Sequence, residues 1–121
     1  MNRNRRRILR IKKWLCKNFP PPVPVRVIVG DMPKEYSDCV GIYQPPCSSK
    51  YATIRLSKSQ GHSEKINTLL HEWVHLCIDP EAEAANKPHG GHTNEFYLTY
   101  GKIERAYFSA LDDELRVRNK K

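Results

Sequence analysis

Long apolar runs are absent from this chain of 121 residues, and no stretch approaches the ~20 consecutive apolar residues that a membrane-spanning helix needs. Cysteine is sparse and unpatterned. Cys16, Cys39, Cys47 and Cys77 form no Cys-x-x-Cys pair and no regular framework, which argues against a secreted disulfide scaffold and for a reducing compartment. Cys77 is expected as a buried free thiol, while Cys39 and Cys47 could face each other across a hairpin. There is no internal repeat and no low-complexity segment, so one small domain with a single core is expected, 1–19 being a basic arm or first helix and 20–121 its body.

Acidic residues are missing from the first seventeen positions. Arg3, Arg5, Arg6, Arg7, Arg10, Lys12, Lys13 and Lys17 precede any acid, and since the chain has 21 Lys and Arg against 13 Asp and Glu, the net charge of +8 belongs to this arm. Ile8, Ile11, Trp14 or Leu15, and Phe19 give it an apolar stripe, which reads as the first helix packed on the fold with its basic side in water. Such a block attracts nucleic acid through counterion release without reading sequence, so non-specific DNA binding is an expectation for Arg3, Arg5, Arg6, Arg7, Arg10, Lys12 and Lys13. The same composition suits a membrane-surface helix or an organelle presequence, although the charges interrupt any signal-peptide core. An intracellular setting, cytoplasmic or nucleoid and nuclear, is expected.

What is present decides more. His71-Glu72-Trp73-Val74-His75 has the His-Glu-x-x-His spacing of metallohydrolases. On a helix, four residues advance about 6 Å and turn about 40° past one full turn, so His71 and His75 share a face and can share a metal. Glu72 lies beside His71, where its carboxylate can serve as general base without ligating. The helix itself is well supported. Ser63 is a natural N-cap, Ile66, Leu69, Leu70, Trp73, Val74 and Cys77 form an apolar stripe, and Asp79-Pro80 stops it, giving a helix over 63–78. Pro80 to Ala85 reads as a short further helix, and 86–91 as a loop.

A catalytic zinc needs a third protein ligand, and His89, His92 and Glu95 compete for that place. His92 stands just before a long amphipathic helix with Phe96, Tyr100, Ile103, Tyr107, Leu111 and Leu115 on one stripe, which would hold it firmly. Glu95, twenty residues beyond His75, resembles the ligand of thermolysin-type peptidases, although Thr99 stands where that group has an acid. His89 reads as a surface or cleft-rim residue, and His62 as a surface one. Upstream, Pro20-Pro21-Pro22 ends the first helix, Val23 to Val29 reads as a strand, and Cys39–Tyr43 and Tyr51–Leu56 read as an antiparallel hairpin with a loop of about seven residues. A sheet edge near the zinc could take an extended peptide as an added strand.

The segments Ile54-Arg55-Leu56-Ser57, Leu69-Leu70-His71-Glu72-Trp73-Val74-His75 and Gly91-His92-Thr93-Asn94-Glu95-Phe96 together resemble the SprT-like metalloprotease domain, which includes the Spartan proteases of DNA–protein crosslink repair. The resemblance spans roughly Val25 to Leu115. It implies a compact zincin-like α+β domain with an N-terminal helix, a small antiparallel-containing sheet, an active-site helix and a long C-terminal helix. It also implies His71, His75 and His92 as zinc ligands, Glu72 as catalytic base, and a protein substrate, DNA-associated or crosslinked to DNA. Thr93 replaces the glycine usual in that family after the third histidine, and the 121 residues hold no four-cysteine ribbon. Tyr97 or Tyr100 could supply a phenol to the reaction's oxyanion. The rival reading is a non-catalytic DNA-binding or regulatory protein in which four protein ligands close a structural zinc site. A histidine-ligated ribonuclease fits less well, because Glu72 stands where a peptidase base belongs.

Overall fold

A computed structural model describes residues 3–46, 50–78 and 93–119, with side chains described over 5–46, 50–78 and 93–112. Helix α1 (Arg3–Asn18) is followed by strand β1 (Val25–Gly30), a 3₁₀ turn (Lys34–Tyr36), β2 (Gly41–Gln44), β3 (Ala52–Ser57), α2 (His62–Ile78) and α3 (Asn94–Asn119). The described residues thus form an α+β fold with three α-helices and a small mixed sheet. Residues 79–92, which contain the expected short helix, the glycine loop and both His89 and His92, lie outside the described part, as does Cys47.

The hairpin forms as its pattern predicts: β2 pairs antiparallel with β3, from Gly41 opposite Leu56 to Gln44 opposite Thr53. Strand β1 joins the hairpin on the free side of β3, pairing with it in parallel from Val25 opposite Ala52 to Gly30 opposite Ser57. The order is therefore β1-β3-β2, with β3 in the centre. Alternation along β3 explains the layering. Ala52, Ile54 and Leu56 are wholly buried towards the helices, whereas the other face carries polar pairs, Arg26 Nε donating to Thr53 Oγ1 (3.3 Å) and Arg55 Nε to Gln44 Oε1 (3.1 Å).

Helix α1 lies against β1, α2 crosses β2 and β3, and α3 packs on α2. The stripe of α1 is Ile8, Ile11 and Leu15, all buried, and Leu15 rather than Trp14 is the fully enclosed member. Trp14 instead joins an aromatic cluster, its ring centroid 6.0 Å from Phe19 and 5.7 Å from Tyr107.

In α2, Leu69, Leu70, Trp73, Val74 and Leu76 are completely buried. Its start is two residues earlier than the Ser63 cap implies. Lys65 N–H donates to the Gly61 carbonyl at 3.0 Å, so Gly61 is the cap and Ser63 lies inside the first turn. That register puts Glu64 at the third helical position, where the helix dipole favours a carboxylate. His62 is consequently half-buried rather than a surface residue, and its Nδ1 has no hydrogen-bond partner among the described residues.

Helix α3 has Thr93 as its cap. The Thr93 Oγ1 accepts from Phe96 N–H at 3.2 Å, and its carbonyl accepts the first helical bond, from Tyr97 N–H at 3.2 Å. Phe96 and Ile103 are fully buried and Tyr100 and Tyr107 half-buried, but Leu111, expected on the same stripe, is exposed. Leu115 falls where no side chain is described.

Candidate metal centre

The helical phase of α2 turns two sets of side chains in different directions. Leu69, Leu70, Trp73 and Val74 enter the core, and the adjoining sector carries His71 and His75 towards α3. The two imidazole centroids are 5.4 Å apart and steeply inclined. Phe96, the first buried residue of α3, packs against both rings, with centroids 4.9 Å from His71 and 4.7 Å from His75. One wholly buried ring thus fixes both imidazoles, a contact between distant segments that no local pattern announces.

His71, Glu72 and His75 each offer a ligating atom, and these atoms lie within 4.8 Å of one another, a group that could hold a metal ion. Two nitrogen donors from one helix face and an oxygen donor beside them suit a borderline divalent cation. Glu95, on the first turn of α3, is exposed and takes no part in this group. His92, the expected third ligand, immediately precedes the Thr93 cap but is itself among the residues not described.

Glu72 is 8 % exposed, and its burial pushes the carboxyl up from 4.5 to about 7 in the absence of metal. It opens with His71 onto a cavity of about 480 Å³ whose other walls are Asp38, Cys39, Val40 and Gly41 ahead of and into β2, Asn67 and Thr68 on α2, and Tyr100 on α3. The 38–41 wall was not foreseen, because no local pattern tells a strand's lead-in which helix it will meet. Gly41 permits the approach: a Cβ there would collide with Thr68 Cγ2 and stand 3.2 Å from the Arg55 carbonyl. Tyr100 sets its ring edge-on to His71 at 5.6 Å, and burial followed by the nearby Glu104 carboxylate raises its phenol, which therefore keeps its proton at neutral pH. Tyr97, the other candidate, is 61 % exposed.

Cys39 is a free, exposed thiol on the cavity wall. Cys77 is half-buried rather than buried, with Sγ donating to the Phe19 carbonyl at 3.9 Å and its thiol pushed up to about 11 by burial. On α1, Arg5, Arg6, Arg10, Lys13 and Lys17 are exposed while Arg7 and Lys12 are half-buried. Arg6, Arg10, Lys13 and Lys17 recur at four, three and four residues, a single ridge opposite Ile8, Ile11 and Leu15. No described helix is long and apolar enough to cross a membrane. No family model matches the chain, and neither does any curated protein or solved structure.

Proposed function

We propose that this chain is a zinc metallopeptidase with a zincin-like site of the SprT-like kind. The observation that carries the reading is the convergence of His71, Glu72 and His75 within 4.8 Å, with His71 and the buried Glu72 at the wall of an open cavity. His71 and His75 would hold zinc together with His92. When bound, zinc would supply Lewis acidity to a water and to the substrate carbonyl. Glu72 would take the proton of the attacking water and deliver it to the departing amine, a role its place beside the two histidines on the cavity wall suits.

The substrate would be a protein in extended form. β2 is an outer strand of the sheet, and the cavity opens at its start, so β2 is the edge along which a peptide added as a further strand would pass Glu72. The ridge Arg6, Arg10, Lys13 and Lys17 supports a DNA-associated substrate, since a line of cations fixed by a docked helix can follow a phosphate backbone.

The test is cleavage of a denatured or DNA-binding protein by the zinc-loaded chain, with and without single-stranded DNA, beside Glu72→Gln. Cleavage lost in the variant establishes the peptidase, and stimulation by DNA establishes the second part. Equal inertness of both proteins with one zinc per chain would instead favour a structural zinc site in a DNA-binding protein.

A further inference from the structure

We infer that Tyr100 is a second catalytic residue, its phenol Oη donating a hydrogen bond to the oxyanion formed as the peptide carbonyl is attacked. The inference rests on the peptidase reading and adds to it a donor that the reaction needs. The water oxygen bonds to the carbonyl carbon, its proton passes to Glu72, and the carbonyl π pair moves onto oxygen. The C–N bond then breaks with its pair going to nitrogen, which takes the proton from Glu72, leaving a carboxylic acid and an amine. The charge on oxygen exists only between these two events, so a donor aimed at it stabilises the transition state more than the bound substrate.

Three arguments select Tyr100. It shares the cavity wall with Glu72 and His71, the only described tyrosine among that cavity's residues. Its ring is fixed edge-on by His71 at 5.6 Å and Phe96 at 5.9 Å, so the phenol needs little reorganisation to act. Three competing groups, Thr68, Cys39 and Tyr97, are less suited. Thr68 Oγ1 already donates to the Glu64 carbonyl (2.9 Å) and accepts from Gln60 Nε2 (3.1 Å), and a Cys39 thiol is a weak donor. Tyr97 lies one residue round the helix from Phe96 and is 61 % exposed.

The decisive comparison is Tyr100→Phe, which keeps the ring packed on His71 and Phe96 and removes only the hydroxyl, against Tyr97→Phe, Glu72→Gln and wild type. Tyr100→Phe should lower kcat by about 10²–10³-fold with KM little changed. Zinc should remain at one per chain. A phosphinic peptide, whose tetrahedral oxygen imitates the oxyanion, should bind this variant more weakly by a factor similar to the loss in kcat. Tyr97→Phe should match wild type. If Tyr100→Phe cleaves and binds the phosphinic peptide like wild type while Glu72→Gln is inert, the assignment of Tyr100 is overturned and the peptidase stands. Loss of zinc from Tyr100→Phe also overturns it, in favour of a role in holding His71. A wild type no more active than Glu72→Gln overturns both readings together.

Discussion

The indole Nε1 of Trp73 donates a 3.0 Å hydrogen bond to the backbone carbonyl of Phe19, joining the helix that carries His71 and His75 to the end of the N-terminal one. Trp73 is wholly buried and adjoins Glu72, so this bond fixes the rotation of α2 at the position that matters to the site. Trp73→Phe should destabilise the protein by about 2–3 kcal/mol, from the lost hydrogen bond and the vacated ring volume. Urea unfolding would measure it, and a change within about 0.5 kcal/mol would show that the bond contributes nothing beyond its surroundings.

Gly41 and Thr68 should behave as a coupled pair. A Cβ at position 41 collides with Thr68 Cγ2, and a methyl on a β-branched side chain has little freedom to retreat. Gly41→Ala should therefore cost about 1–3 kcal/mol, and Thr68→Ser, which deletes that methyl and keeps the hydroxyl bond to Glu64, should recover much of the loss. A double-mutant cycle with no coupling would mean that β2 simply shifts away.

In the zinc-free protein Glu72 should make stability fall as pH rises. Its carboxyl goes from 4.5 to about 7 on burial, so the folded state binds the proton more tightly than the unfolded chain does. The contribution is fully present below the unfolded value and is lost through about pH 7, amounting to on the order of 3 kcal/mol by pH 8. Glu72→Gln should accordingly be the more stable protein at pH 8 in the presence of a chelator, and the two should converge towards pH 4. Unfolding curves that stay parallel across that range would contradict the burial argument. Added zinc should shrink the difference at pH 8, because a cation beside Glu72 favours its charged form.

The ridge on α1 predicts a salt dependence. Neutralising Arg6, Arg10, Lys13 and Lys17 to Gln should weaken single-stranded DNA binding and flatten the slope of log K against log salt by about 0.7 for each phosphate contact removed. All four are exposed and oppose the buried stripe, so the fold should be unaffected. Fluorescence anisotropy over a salt series checks this, and an unchanged slope would move the DNA-binding surface elsewhere.

The helices were the legible part of this chain, because each writes its period into a local stretch: the α2 stripe and the stop before Pro80 located that helix almost to the residue. The hairpin was legible for the same reason, through two apolar runs and an intervening turn. The parallel docking of β1 on β3 was not, since a β-branched run announces a strand and leaves its neighbour to long-range packing. His71, Glu72 and His75 could be read because one helix carries all three. Phe96 holding both imidazoles, and the 38–41 segment walling the cavity, depend on contacts between distant segments and could not. Thr93 gained its explanation only from geometry, as the residue whose hydroxyl starts α3.

The central place of β3 also governs the order in which the protein can be made. Neither β1 nor β2 has the other as a partner, and each finds its ladder only on residues 52–57. A nascent chain that has left the ribosome up to position 51 therefore carries one helix and two strands with nowhere to pair, the kind of exposed edge that chaperones shield. Translation speed across the hairpin, rather than across α2, is where synthesis of this protein would be most sensitive to delay.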